Sequence, residues 1–138
     1  MRPNIVKGIE AENYVAKQIE KYSNDEIEQN HTWGVDIILK TVNKNIMIEV
    51  KSANKHIKNG KKGLRSGKFY FYPNNIDRPD YYAFVIYKSE IVANTVWVKA
   101  DVIRKHFADR KIRNTKFSLG IPTLLTRIAK IDFSEVIA

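Results

Sequence analysis

The stretch WGVDIILKTVNKNIMIEVKS, residues 33–52, decides the fold of this chain. It contains two apolar runs, 33–40 and 45–52, separated by a short polar segment. Its last two residues and the first residue of the second run, NKN at 43–45, are residue types that accept turn conformations. Two strand-like runs joined by such a turn are typical of a β-hairpin. We therefore expect the rest of the fold to pack around this hairpin.

Three charged residues lie in strands that otherwise have the composition of a core. Side chains alternate along a strand, so Asp36 points away from the apolar face of the first run, and Glu49 and Lys51 point away from that of the second. The apolar positions are Val35, Ile37 and Leu39 in the first run and Ile46, Ile48 and Val50 in the second. Since charged residues are usually exposed, one interpretation is an ion pair of Glu49 and Lys51 on a solvated face.

The same three residues also fit a catalytic role. An acid near the start of one strand, followed by Glu-x-Lys in the next, is what a magnesium-dependent phosphodiesterase needs. Two carboxylates hold the ion, which keeps most of its waters, and the bound ion polarises a phosphoryl oxygen and lowers the pKa of a water. A lysine two residues after the second acid projects to the same side, where it can orient that water or neutralise the transition state.

The order Asp36…Glu49-Val50-Lys51 resembles the PD-(D/E)XK nuclease signature. The segment KGIEAE at 7–12 is similar to the Lys-Gly-x-x-Ala-Glu that opens archaeal Holliday-junction resolvases. The spacings, 24 positions from Glu12 to Asp36 and 13 from Asp36 to Glu49, are similar to those of that group. The resemblance covers residues 5–52, a little over a third of the chain.

This resemblance implies roles for four side chains and one backbone group. Asp36 and Glu49 would ligate Mg²⁺, with Mn²⁺ as a substitute, aided by the backbone carbonyl of Val50. Glu12 would complete the acidic cluster, and Lys51 would act on the attacking water. The implied fold is α/β and restriction-endonuclease-like: an N-terminal helix, then a mixed central β-sheet flanked by helices, in a single domain over 1–138. The implied enzyme is a DNA endonuclease acting by metal-activated water, selective for structures such as Holliday junctions, in DNA recombination and repair.

The sequence also departs from the family pattern. Val35, not proline, precedes Asp36, and the literal Pro79-Asp80 lies downstream of Glu-x-Lys, in the wrong order. No resolvase-like helix of comparable clarity follows Ser52. A restriction-type or repair endonuclease acting on duplex DNA therefore remains open. A non-catalytic basic module that binds nucleic acid, with structural roles for the charged residues, remains open as well.

Charge favours a polyanionic partner. The 138 residues carry a formal net charge of +9, with −3 on residues 1–36 and +12 on residues 37–138. Such asymmetry favours nucleic acid over a membrane surface. We expect a glycine-punctuated loop over 51–68 to contact the DNA backbone, which gives affinity without sequence information. Its predicted DNA-binding residues are Lys55, Lys58, Lys61, Lys62, Arg65 and Lys68, and a second basic cluster spans 104–116.

Residue types and segments that the sequence lacks narrow the class of protein further. Zero cysteines exclude disulfides, thiolate catalysis and cysteine-ligated zinc. No signal peptide and no apolar run of about 18 residues is present, which predicts a cytoplasmic protein without a membrane partner. No small-molecule cofactor is expected. Because cutting both strands of DNA needs two sites, we expect a homodimer.

The remaining elements follow from local patterns. We predict a helix over 5–22 whose buried stripe includes Ile9, Val15, Ile19 and Tyr22. The aromatic run at 69–72 predicts a strand buried on both faces, with packing favoured over base stacking. Residues 81–87 predict a central strand buried on both faces, and 96–98 a further strand. Asp101 is expected to cap a helix that runs to Ala108.

Overall fold

The structure is a computed structural model that describes residues 4–32, 34–55, 57–58, 64–65, 67–72, 75–108 and 117–137. Within these residues it has an α/β architecture, with one five-stranded sheet, two two-stranded sheets and flanking helices. In chain order the elements are α1 (Asn4–Tyr22), β1 (Glu26–Thr32), β2 (Val35–Lys40), β3 (Asn45–Asn54), β4 (Ile57–Lys58), β5 (Leu64–Arg65), β6 (Lys68–Phe71), β7 (Tyr81–Lys88), β8 (Ile91–Lys99), α2 (Ala100–Ala108), β9 (Phe117–Gly120), α3 (Ile121–Arg127) and α4 (Phe133–Ile137).

The five-stranded sheet has the order β1-β2-β3-β7-β8 and is mixed. Strands β1, β2 and β3 form an antiparallel meander that contains the predicted hairpin. Strand β7 pairs parallel with β3, and β8 returns antiparallel to β7. Every residue from Tyr82 to Tyr87 is buried, which confirms the prediction of a central strand covered on both faces.

Two hydrophobic cores lie on opposite faces of this sheet. On one face, α1 packs its Ala11, Val15 and Ile19 against the apolar positions of β2 and β3. On the other face, β6, β9, α2 and α3 cover alternate residues of β7 and β8, including Tyr82 and Phe84.

The predicted buried stripe of α1 is only half correct. The helix itself agrees with the prediction to within one residue, and Val15 and Ile19 are fully buried. Ile9 and Tyr22, however, are 47% and 58% exposed. Among the side chains described from Gly8 onward, the buried apolar positions of α1 lie between Ala11 and Ile19, where two alanines allow a close approach to the sheet.

The prediction that the aromatic run at 69–72 is buried on both faces is wrong. Phe69 and Phe71 are each 1% exposed, whereas Tyr70 and Tyr72 are 43% and 45% exposed. Strand β6 does not join the central sheet but pairs antiparallel with β9 in a separate two-stranded sheet. It therefore covers the core with one face only and presents the other to solvent.

Two other local predictions need correction. The expected loop over 51–68 begins later than predicted, since β3 continues to Asn54 and the short strands β4 and β5 follow. Helix α2 begins at Ala100, whose N–H donates to the carbonyl of Asp80. Asp101 lies in the first turn of α2 and forms an ion pair with Arg104, instead of acting as the cap.

Candidate active site

The site forms where the ladder between β2 and β3 ends. The last pair of that ladder is Ile37 with Ile48, and extending the register by one residue sets Asp36 opposite Glu49. Beyond this point the N–H of Val50 donates to Oδ2 of Asp36 at 2.7 Å. The carboxyl group of Asp36 thus holds the backbone of β3 where strand pairing stops, which fixes its position.

Gly34 makes the entry into β2 possible. Its φ of +85° lies in the left-handed region that glycine adopts without cost. A Cβ at this position would lie 3.0 Å from the carbonyl oxygen of Asn75 and 3.0 Å from Cδ of Arg78. The turn therefore packs directly against the segment before β7, and it sets the start of the strand that carries Asp36.

Glu12 reaches the same point from helix α1. It is only 7% exposed, and its carboxyl group shares a hydrogen bond with that of Asp36. Burial raises the pKa of Asp36 to about 7, and the bond to Glu12 adds to the rise while the Val50 N–H opposes it. Burial also raises the pKa of Glu12. Two adjacent buried carboxyls cannot both ionise easily, so the pair retains a proton near neutral pH.

Glu49 and Lys51 form a second pair beside the first. Nζ of Lys51 lies 3.1 Å from Oε1 of Glu49, and their side chains are only 15% and 12% exposed. The ammonium group also lies 5.0 Å from the ring centroid of Phe71. An ion pair was one interpretation of Glu-x-Lys, but this pair is not on a solvated face. Burial raises the pKa of Glu49, and the negative charge of Asp36 adds to the rise while Lys51 opposes it.

Tyr82 is a neighbour of the site that sequence reasoning did not identify. It pairs with Glu49 across β3 and β7 and is fully buried. No group in the described part of the chain forms a hydrogen bond with its hydroxyl. Burial, and next the negative charge of Glu49, raise the pKa of this phenol far above its ordinary value. A buried hydroxyl without a hydrogen-bond partner is uncommon. The position of Tyr82 beside Glu49 follows from the parallel register of β3 and β7 and could not be predicted from the sequence.

The donor set fits a hard divalent cation chemically. Two buried carboxyls, Glu12 and Glu49, and the half-buried Asp36 lie together, and the pKa of each is raised. Carboxylate oxygens are the ligands that Mg²⁺ prefers, and a cation would relieve the uncompensated negative charge. Across the residues that the structure describes, no three acidic or histidine side chains converge closely enough to hold a metal ion as they stand.

The literal Pro-Asp pair has a structural role, as its position after Glu-x-Lys indicated. Oδ2 of Asp80 accepts the N–H of Met47 at 2.9 Å, and the Asp80 N–H donates to the Met47 carbonyl at 2.7 Å. Asp80 thus fastens the start of β7 to the start of β3. It does not belong to the group formed by Glu12, Asp36, Glu49 and Lys51.

The predicted DNA-binding residues are only partly described. Lys55 and Lys68 are exposed. Each directly follows one partner of a backbone hydrogen bond, which the Gly67 N–H donates to the carbonyl of Asn54. The side chains of Lys58 and Arg65, as well as Lys61 and Lys62 entirely, lie outside the described residues. So do residues 109–116 of the second basic cluster.

Arg104, from that second cluster, is committed to the fold. Its guanidinium donates to the carbonyls of Ile76 and Pro79 at 3.2 and 3.4 Å and pairs with Asp101. We therefore remove it from the residues expected to contact DNA.

Comparisons with known proteins identify no relative of this chain. No family model matches the chain, and no curated protein or solved structure is significantly similar to it. Among the described residues, no helix combines the length and the apolar character needed to cross a bilayer.

Proposed function

We propose that this protein is a magnesium-dependent DNA endonuclease of the PD-(D/E)XK type, with a restriction-endonuclease-like fold and a preference for branched DNA. One observation carries the proposal. The side chains of Glu12 and Asp36, 24 positions apart in sequence, meet at the end of the β2–β3 ladder, and the Glu49–Lys51 pair lies beside them. A purely structural role would not favour three adjacent, largely desolvated carboxyls with raised pKa values, because burial of such groups costs stability.

In this proposal Asp36 and Glu49 hold Mg²⁺ or Mn²⁺, with help from Glu12 and the Val50 carbonyl. The bound ion supplies Lewis-acid polarisation of the phosphoryl oxygen and a water of lowered pKa. The chain's own residues prepare this chemistry. Loss of the proton shared by Glu12 and Asp36 creates the negative charge that the ion needs. Lys51, once Glu49 turns to the ion, is free to orient the attacking water or to stabilise the developing negative charge.

The surroundings suit phosphodiester hydrolysis. Phe71 lies against the ammonium of Lys51 and helps to keep it away from bulk water. In low-dielectric surroundings a charge acts more strongly on a reacting group. The exposed Lys55 and Lys68 are available to neutralise DNA phosphates. Because a branched or duplex substrate has two strands to cut, we propose that a twofold homodimer supplies two such sites.

The test is a cleavage assay on a four-way junction and a linear duplex of matched sequence, at stated salt, with Mg²⁺ or with EDTA. We expect paired nicks in the junction with Mg²⁺ only. Lys51→Met and Asp36→Asn should reduce the rate by about a hundredfold or more while leaving affinity for the junction nearly unchanged. Glu20→Gln, an exposed acid on the helix that carries Glu12, is the matched control and should cut normally.

The same assay separates the competing interpretations. Cutting at one fixed sequence in the linear duplex would replace junction selectivity by a restriction-type activity. No magnesium-dependent cutting of any DNA form by the native protein would overturn the nuclease proposal.

A further inference from the structure

We infer that a surface formed by Lys68 and Tyr70 on the outer face of β6, together with Tyr72 directly after the strand, binds unpaired bases of a DNA substrate. This inference deepens the proposed function and rests on DNA being the partner. We call these three residues the tyrosine face. Tyr70 and Tyr72 are 43% and 45% exposed, and Lys68 is exposed beside them. Lys68 and Tyr70 alternate with the buried Phe69 and Phe71, so both project from the outer side of β6. Tyr72, the residue after the strand, continues this alternation of exposed and buried positions.

The tyrosine face is held firmly from behind. The Phe69 ring lies 4.7 Å from that of Phe84, and the Phe71 ring lies 5.3 Å from that of Tyr82, both in edge-on contact. These buried contacts anchor β6 to the central sheet. A rigid strand can present aromatic rings to a ligand without a large loss of conformational entropy on binding.

The residues of β9 that pair with this face of β6 are small. Tyr70 pairs with Ser118, and Lys68 pairs with Gly120. Within the described part of β9, the residue beside Tyr70 is therefore a serine and not a bulky side chain. Exposed aromatic rings on the face of a small sheet are a common platform on which proteins stack single-stranded bases.

Charge selects a nucleic acid as the occupant of this face. Strand β6 lies in a segment, 51–76, that contains seven basic residues and no acidic one. Strand β9 lies in a second segment, 110–131, with six basic residues and no acidic one. The two strands of this small sheet thus belong to the most strongly basic parts of the sequence, which complements a phosphate backbone.

Unpaired bases are favoured over an intact duplex by the chemistry of stacking. In a duplex the flat faces of the bases are covered by their neighbours, so a tyrosine ring can reach them only where the stack is interrupted. A branch point or a single-stranded flank provides such bases. The location is suitable, because Phe71 on the inner face of β6 contacts the Lys51 ammonium of the proposed active site.

The test measures binding without cleavage. Fluorescence anisotropy in EDTA compares a labelled oligothymidine of about 16 nucleotides with a labelled duplex, for the native protein and for Tyr70→Ala/Tyr72→Ala. Since stacking on one aromatic ring accounts for about fivefold to a hundredfold in affinity, we expect the double variant to bind the single strand at least about tenfold more weakly. Duplex affinity should change by less than about twofold.

Control variants separate stacking from other effects. Tyr70→Phe/Tyr72→Phe keeps the rings and should retain single-strand affinity, whereas Tyr70→Leu/Tyr72→Leu keeps apolar area and should not. Tyr14→Ala removes a tyrosine of similar exposure, 44%, from helix α1 and should bind as the native protein does. Circular dichroism and thermal melting of each variant show that the fold is retained.

Unchanged single-strand affinity in a folded Tyr70→Ala/Tyr72→Ala protein would overturn the inference. So would equal losses for single strand and duplex, or a change in oligomeric state on sedimentation without a change in DNA affinity. The proposed nuclease function fails separately, through absence of magnesium-dependent cutting, which this binding assay does not involve.

Discussion

The carboxyl groups of Glu12 and Asp36 share a hydrogen bond that joins helix α1 to the first residues of strand β2. Asp36 also accepts the Val50 N–H, so one side chain connects the helix, β2 and β3. Burial raises the pKa of Asp36 to about 7. Ionising both carboxyls near neutral pH would therefore cost free energy, because two negative charges would lie side by side.

Asp36→Asn should stabilise the metal-free protein at alkaline pH. The asparagine oxygen can still accept the Val50 N–H, and its amide can donate to Glu12, but no second buried negative charge remains. Since one pKa unit corresponds to about 1.4 kcal/mol, we expect a gain of roughly 1–3 kcal/mol at a pH of about 8.5, measured by urea unfolding. A loss of stability in this variant would mean that the two carboxyls do not repel each other.

The stability of the metal-free native protein should fall as pH rises through neutrality. The pKa of Asp36 is about 7 in the folded state, against about 3.9 in an unfolded chain. Between these values the folded state binds more protons, so the contribution of this group is fully present below about pH 4 and is lost as pH rises through about 7. Urea midpoints across this range, compared with those of Asp36→Asn, isolate the effect, and parallel curves would contradict it.

Magnesium should oppose this loss of folding stability with rising pH. Because the ion competes with the proton for the same carboxylates, stabilisation by Mg²⁺ should be small at about pH 5.5 and larger at about pH 8.5. Thermal melting with and without Mg²⁺ at the two pH values measures the difference. Equal stabilisation at both would indicate that the ion binds elsewhere.

Gly34→Ala should destabilise the protein by about 1–3 kcal/mol. The substitution requires a residue with a Cβ at φ +85°, with that Cβ only 3.0 Å from the carbonyl oxygen of Asn75. Gly8 is a matched control, since a Cβ there meets nothing within 4 Å. Gly8→Ala lies in helix α1 and should stabilise by about 0.5–1 kcal/mol. Equal melting temperatures for the two variants would refute this account of the turn.

Tyr82→Phe should raise stability, although it removes a polar group next to the site. The hydroxyl is buried and makes no hydrogen bond within the described residues, so its removal relieves a desolvation cost of about 1 kcal/mol. Tyr14→Phe, at an exposed position, should have no effect. Destabilisation by Tyr82→Phe would reveal a bound water or another partner that links this hydroxyl to Glu49.

The sequence predicted the hairpin and its charged residues because alternation and turn chemistry act locally. Asp36, Glu49 and Lys51 could be singled out since acids and a lysine are unexpected in otherwise apolar strands. The contact of Glu12 with Asp36 followed from a family resemblance, and no local pattern would have suggested it. The central strand β7 was predicted because a long apolar run is typical of a strand whose two faces are both covered by other elements.

The remaining features depend on contacts between distant segments. The position of Tyr82 beside Glu49 results from a parallel pairing whose register no local signal specifies. The exposure of Tyr70 and Tyr72 depends on β9, which lies more than 40 positions further along the chain. Likewise, Arg104 resembled a DNA contact in sequence, and only the fold directs it to the carbonyls of Ile76 and Pro79.

Binding of Mn²⁺ to the DNA-free protein, followed by electron paramagnetic resonance at about pH 8, tests the central claim most directly. The account predicts a divalent-ion site that is lost in both Asp36→Asn and Glu49→Gln and is retained in Glu20→Gln. Absence of bound Mn²⁺, or equal binding by all four proteins, would contradict it.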